Sequence, residues 1–263
     1  MENKIELNIK DNVATLKFID PESLNPLNKE SAKELLEYLE SLREKSDVRC
    51  IIITGSGRAF SAGGDVKLFK SSIENGTSGT VMDDLTKDLY KIALILRLYP
   101  KPIIAAVNGW AVGAGMNLAL SCDLIIASDK AKFRQSFSKL ALIPGFAGSI
   151  ILSRQLTWQQ ASQMAFFGDT YSANDMVKLG LVNQIVSPEK LEEISFQWAQ
   201  KLAKGPTLTY ARTKKLFFEA LSTPLKEQLE NERQMQIKSA ETEDHKRGVF
   251  ALLEKKEPEF IGK

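Results

Sequence analysis

Asn108-Gly109-Trp110-Ala111-Val112-Gly113-Ala114-Gly115-Met116-Asn117-Leu118-Ala119-Leu120 decides the fold. It follows Ile103-Ile104-Ala105-Ala106-Val107, an apolar run entered from Pro100 and Pro102, which reads as a buried strand. Small residues then fill a sharp turn, and Met116 to Leu120 start a buried helix. A strand, a glycine turn and a helix start leave a row of free backbone N–H groups at a positive dipole end. Such a row can hold an anion or the oxygen of a polarised carbonyl. The competing reading is that the glycines merely let a helix pack close to a strand, as small-residue turns do in many α/β folds.

A second turn of this kind, Gly55-Ser56-Gly57-Arg58-Ala59-Phe60-Ser61-Ala62-Gly63-Gly64-Asp65, follows the apolar run Val48 to Thr54. Neither turn is a dinucleotide fingerprint, because Leu118 and Phe60 stand where the third glycine belongs. No Gly-Lys-Ser/Thr follows either turn, so a phosphate-binding P-loop is absent. Two strand-to-helix turns can instead aim two backbone N–H groups at one oxygen, each worth about 3 kcal/mol to a transition state.

The flanking chain supplies the frame. Ile5, Leu7 and Ile9, the turn Lys10-Asp11-Asn12, then Ala14, Leu16 and Phe18 spell a β-hairpin with one buried face. Leu35, Leu36, Leu39 and Leu42 make Ser31 to Leu42 an amphipathic helix, and Val81 to Leu98 repeats that pattern. Ser71 to Thr80 is small and polar and is expected to be a mobile loop. Leu124 to Ala127 is a further strand, Lys132 to Phe137 a short one, and Leu181 to Val186 the last. Ile143 to Gly148 is a loop, and Ser172-Ala173-Asn174-Asp175 is a capping box for a helix ended by Gly180. From Pro188 onward the chain reads as helices broken near Gly205-Pro206 and Thr223-Pro224.

Composition narrows the function. A chain of 263 residues, 43% hydrophobic, can bury one large core. A net charge of +2 with 26% charged residues points to neither nucleic acid nor an anionic membrane. Asn3-Lys4-Ile5 and the residues before it lack a signal-peptide pattern, and no apolar run is long enough to span a membrane. A cytoplasmic location is expected. Cys50 and Cys122 lie in apolar runs and read as buried small hydrophobes. His245 is the single histidine and sits in a charged segment, which argues against Ser-His catalysis; no cluster suggests a metal.

With these residues in view, the sequence resembles the crotonase (enoyl-CoA hydratase/isomerase) superfamily over nearly its whole length. The resemblance rests on Ala59 to Asp65, Asn108 to Gly115, Cys122 to Ala127, Leu140 to Gly148 and the tail Phe250 to Phe260. It implies an α/β fold, a spiral of ββα turns over residues 1–200, with a C-terminal helical trimerisation region over 201–263. It further implies a homotrimer or dimer of trimers, a coenzyme A thioester as substrate and no permanently bound cofactor. By position, the N–H groups of Ala62 and Ala114 would bind the thioester oxygen and stabilise an enolate. Phe60, Gly63, Gly64, Gly113 and Gly115 would line the substrate, with Asp65 and Val66 near the nucleotide. Leu24, Asn25 and Leu27 match a CoA-lining loop, while Leu252 and Lys255 match tail positions that cover CoA, often from a neighbouring subunit. Asp65 has a second reading as a helix N-cap.

The chain departs from the family where it matters most. Hydratases of this family use two glutamates, and this chain has Asn117 and Phe137 there. The segment Phe137 to Pro144 is nearer the isomerase branch, whose members carry Asp or Glu just after Pro144; here that residue is Gly145. None of the three can exchange a proton at neutral pH. Isomerase-type chemistry using Asp65, Ser61, Ser136 or Ser138 is the first expectation. The alternatives are decarboxylation of a malonyl-type thioester and acyl-CoA binding without turnover. Phe137 and Phe146 either make the pocket apolar or are ordinary core aromatics.

Overall fold

The computed structural model describes residues 3–263; Met1 and Glu2, part of the N-terminal segment read for a leader, lie outside them. The strands in chain order are β1 (Ile5–Lys10), β2 (Val13–Phe18), β3 (Cys50–Gly55), β4 (Ala59–Ser61) and β5 (Ile103–Val107). They continue as β6 (Trp110–Val112), β7 (Leu124–Ser128), β8 (Lys132–Arg134), β9 (Thr170–Ser172) and β10 (Gln184–Val186). A six-stranded sheet has the order β1-β2-β3-β5-β7-β10, and a four-stranded sheet the order β4-β6-β8-β9. The hairpin at the N-terminus pairs Ile5 with Phe18 and Lys10 with Val13. Beyond it the larger sheet is parallel.

Each of β3, β5 and β7 leads into a short strand of the smaller sheet before helices carry the chain back. This produces the repeated ββα turn. The central parallel strands β3, β5 and β7 are apolar apart from Thr54 and Ser128 because both faces are covered. Ile51, Ile53, Ile103 and Ala105 face a core shared with α1 (Lys29–Arg43), α3 (Ser78–Leu98) and α4 (Ala114–Ser121). The alternating residues Cys50, Ile52, Ile104 and Ala106 pack under α8 (Leu191–Ala203). Burial pushes the Cys122 thiol up to about 12 and raises that of Cys50, so both are inert apolar residues.

Two local expectations are corrected. Ser71 to Thr80 is not a loop: α2 (Val66–Glu74) runs through its first half and α3 begins at Ser78. Asp65 caps the start of α2, and Gly76 at φ +67° permits the tight turn into α3. Lys132 to Phe137 is strand only to Arg134, after which Phe137–Leu140 turns as a 3-10 helix. The last strand, β10, is likewise shorter than Leu181 to Val186.

After the expected break at Gly205-Pro206 come α9 (Thr207–Glu219), α10 (Leu225–Ala240) and α11 (Glu243–Leu253). Arg49, just before β3, fastens this region. It donates to the Thr207 hydroxyl at 3.0 Å, the Gly205 carbonyl at 2.6 Å and the Phe260 carbonyl at 2.9 Å. Among the described residues no helix is long and apolar enough to cross a membrane.

Candidate active site

The two glycine turns meet. Gly63 has φ +81°, and a Cβ there would sit 2.5 Å from the Val112 carbonyl and 3.1 Å from the Ala114 nitrogen. No larger residue can bring the β4 turn this close to the start of α4. Gly113 precedes that helix with φ +54° and ψ −119°, a conformation that turns the chain from β6 into α4 without a side-chain cap. The first N–H groups of α4 are consequently unclaimed within the helix, and Ala114 leads them.

The amide partner on the other turn differs from the expectation. The Ala62 N–H donates to the Leu24 carbonyl at 2.9 Å, so Ala62 cannot bind a substrate oxygen. The Gly63 N–H is held by Ser61 Oγ at 3.2 Å. The next amide, that of Gly64, has no acceptor among the described residues. Left-handed Gly63 reverses the peptide direction between Ala62 and Gly64, which explains the two-residue shift. The available pair is Gly64 with Ala114.

Other expected ligand contacts are architectural. Asn25 is buried; it donates to the Ser56 and Ala59 carbonyls at 2.9 and 2.8 Å and accepts from the Asp20 N–H. Leu27 and Phe60 are fully buried in the core, so their side chains are closed to a ligand. Leu24 is half-buried, and Val66 is exposed beside Gly64 and Asp65. Asp65 accepts from the Lys67 and Leu68 amides at 2.8 and 3.3 Å, which bears out its N-cap reading. Leu252 and Lys255 are exposed at the end of α11, whose flanking tail Arg49 holds at the start of β3.

Asn117, Phe137 and Gly145 lie in unlike surroundings. Asn117 is fully buried inside α4. Its Oδ1 accepts from Gln135 Nε2 at 2.5 Å, and its Nδ2 donates to the Gly145 carbonyl at 2.7 Å. It is a brace between two loops, closed to solvent. Phe137 is half-buried with one ring edge 3.7 Å from the point a Gly113 Cβ would occupy. Its other edge lies 3.6 Å from the corresponding point at Gly145. Phe146 is core, as one of its two readings held.

Of the hydroxyls considered, Ser61 is buried and holds Gly63, while Ser138 is exposed and faces Gly168. Ser136 lies nearer, its Oγ 3.4 Å from the Gly113 Cβ point. Gln135 and Tyr90 were missed. Tyr90 reaches the site from a distant helix, and Gln135, just before Ser136, carries no local pattern that marks it.

Beyond Pro144 an apolar groove of about 860 Å³ runs between α3, α5 (Gly148–Gln155) and α9. Lys214 and Asp123 pair at its floor at 2.8 Å. Burial raises the Asp123 carboxyl while the Lys214 ammonium opposes the shift.

Comparison with known proteins settles the lineage. The sequence profile of the enoyl-CoA hydratase/isomerase family matches residues 8–263. The chain belongs to the enoyl-CoA hydratase/isomerase family. It is 35% identical over 261 residues to a probable enoyl-CoA hydratase of Rhodobacter capsulatus, covering 98% of each chain. It is 36% identical over 258 residues to 1,2-epoxyphenylacetyl-CoA isomerase of Escherichia coli, covering 97% of each. The crystal structure of an enoyl-CoA hydratase from Polaromonas sp. JS666 superposes with a TM-score of 0.93 at 31% identity, covering 97% of this chain and 99% of that one. This family member is therefore an enzyme with the crotonase fold and its C-terminal helical region.

Proposed function

We propose that this enzyme binds an acyl-CoA thioester and stabilises its enolate between the backbone N–H groups of Gly64 and Ala114. Proton-transfer isomerisation follows in preference to hydration. One observation carries this preference: both ends of the Asn117 side-chain amide are bonded inside the protein, with no group there to activate water. Losing a positioned acid or base removes about 10²–10⁴-fold from such a step. The oxyanion amides remain, and they serve any reaction that passes through an enolate. The thioester arm would pass Leu24, Gly63, Gly64, Asp65 and Val66.

Decarboxylation of a malonyl-type thioester is the second reading. Departing CO₂ leaves the enolate directly, so Asn117, Phe137 and Gly145 need supply no base. Assembly as a homotrimer or dimer of trimers fits the apolar residues left bare on the C-terminal helices, including Phe217, Leu225, Phe250 and Leu252. A neighbouring copy's Leu252 and Lys255 would then be free to cover bound CoA.

Proton exchange tests the reading. An enoyl-CoA incubated with the enzyme in heavy water should exchange protons at its α and γ carbons by NMR. Tight binding without exchange would remove isomerisation, and CO₂ release from malonyl-type thioesters would then favour the second reading.

A further inference from the structure

We infer that the Tyr90 hydroxyl is the proton donor to the acyl chain, a role that rests on the enolate reading above. Tyr90 Oη lies 3.5 Å from the point a Cβ on Gly145 would occupy, the same point that the Phe137 ring approaches at 3.6 Å. Across that ring is Gly113, the residue that precedes the Ala114 amide. Gly113, Phe137, Gly145 and Tyr90 thus form a continuous wall from the oxyanion turn to the apolar groove. At the end of this wall stands the Tyr90 hydroxyl, with no hydrogen-bond partner among the described residues. Tyr90 lines the groove with the apolar Leu94, Pro144, Ile150 and Phe217 and with the polar Arg97 and Ser149.

A proton donor here must meet three demands. It must carry a proton at neutral pH, reach the acyl carbons beyond the thioester, and be re-protonated between turnovers. A phenol supplies the first. The gap left by Gly145, which has no side chain of its own, opens the path for the second. Tyr90 is 47% exposed, which gives solvent access for the third.

In the step, the enolate or its vinylogous dienolate uses its carbon–carbon π pair to form a C–H bond. The Tyr90 O–H bond breaks and the thioester carbonyl is restored; the phenolate then takes a proton from solvent, which balances the α-carbon proton released to solvent when the dienolate formed. A surface tyrosine that only covers apolar chain would show none of this dependence on its oxygen.

The test compares wild type with Tyr90→Phe, which keeps the ring and its packing. Acetoacetyl-CoA reports enolate binding through its near-ultraviolet enolate band, and 3-hexenoyl-CoA in heavy water reports proton delivery as deuterium at C4. The band is expected in both proteins, with deuterium incorporation about 100-fold slower in Tyr90→Phe. Equal incorporation by the two proteins, or no incorporation by the wild type, would overturn the role of Tyr90 while the band stands. Absence of the band in the wild type would instead overturn the enolate reading and this inference with it.

Discussion

Ala114→Pro should abolish most turnover while leaving the protein folded. Ala114 is the first residue of α4, where proline fits because its missing N–H would have no partner within the helix. Gly113, at φ +54° and ψ −119°, has no Cβ to collide with the proline ring. The substitution deletes one backbone donor and places the proline ring beside Gly63, whose Cβ point lies 3.1 Å from the Ala114 nitrogen. A single oxyanion donor is worth about 10²–10³ in rate, so kcat should fall by that factor on any thioester the enzyme turns over. Thermal unfolding checks the fold alongside the kinetics. Retained activity in a folded Ala114→Pro protein would mean that another donor holds the thioester oxygen.

Asn117→Asp should destabilise the enzyme and fail to create a hydratase. The Asn117 Nδ2 donates to the Gly145 carbonyl at 2.7 Å, and a carboxylate would turn an oxygen toward that oxygen. The new charge would also be fully buried beside Gln135, whose amide can satisfy one carboxylate oxygen only. Loss of a buried bond with an unpaired charge predicts about 2–4 kcal/mol of destabilisation. The penalty should depend on pH. A protonated Asp can donate to Gly145, so its carboxyl would titrate above the unfolded value of about 3.9. Between those two values the native state binds the extra proton, and stability falls as pH rises through the interval. Wild type, with a neutral amide, should show no such step. Denaturant melts of both proteins at pH 4 and pH 7 measure the difference.

How far the sequence alone revealed this site depended on whether a signal was local. β3 and β5 were legible because both faces are buried and nearly every residue is apolar. The Gly63 and Gly113 turns were legible because left-handed backbone leaves glycine as the natural choice. The direction of an individual amide was not. Whether Ala62 or Gly64 offers a free N–H is set by the φ of Gly63 and by the distant Leu24 carbonyl. Ser71 to Thr80 misled because its small polar residues suit caps and turns as well as loops, and Asp65 and Gly76 settle the matter. The amide of Asn117 is visible in the sequence, but its brace needs Gln135 and Gly145, which only the assembled fold brings near. Tyr90 sits outside the buried stripe Leu85, Leu89, Ile92 and Leu96, and periodicity assigns such a residue to the surface.

The most direct measurement is the infrared carbonyl stretch of a ¹³C-labelled acyl-CoA thioester bound to the enzyme. Two N–H donors on that oxygen weaken the C=O bond, so the band should move to lower frequency in wild type. It should return toward the free position in Ala114→Pro. A bound thioester whose carbonyl band matches that in water would contradict the account, because the Gly64 and Ala114 amides would then not hold its oxygen.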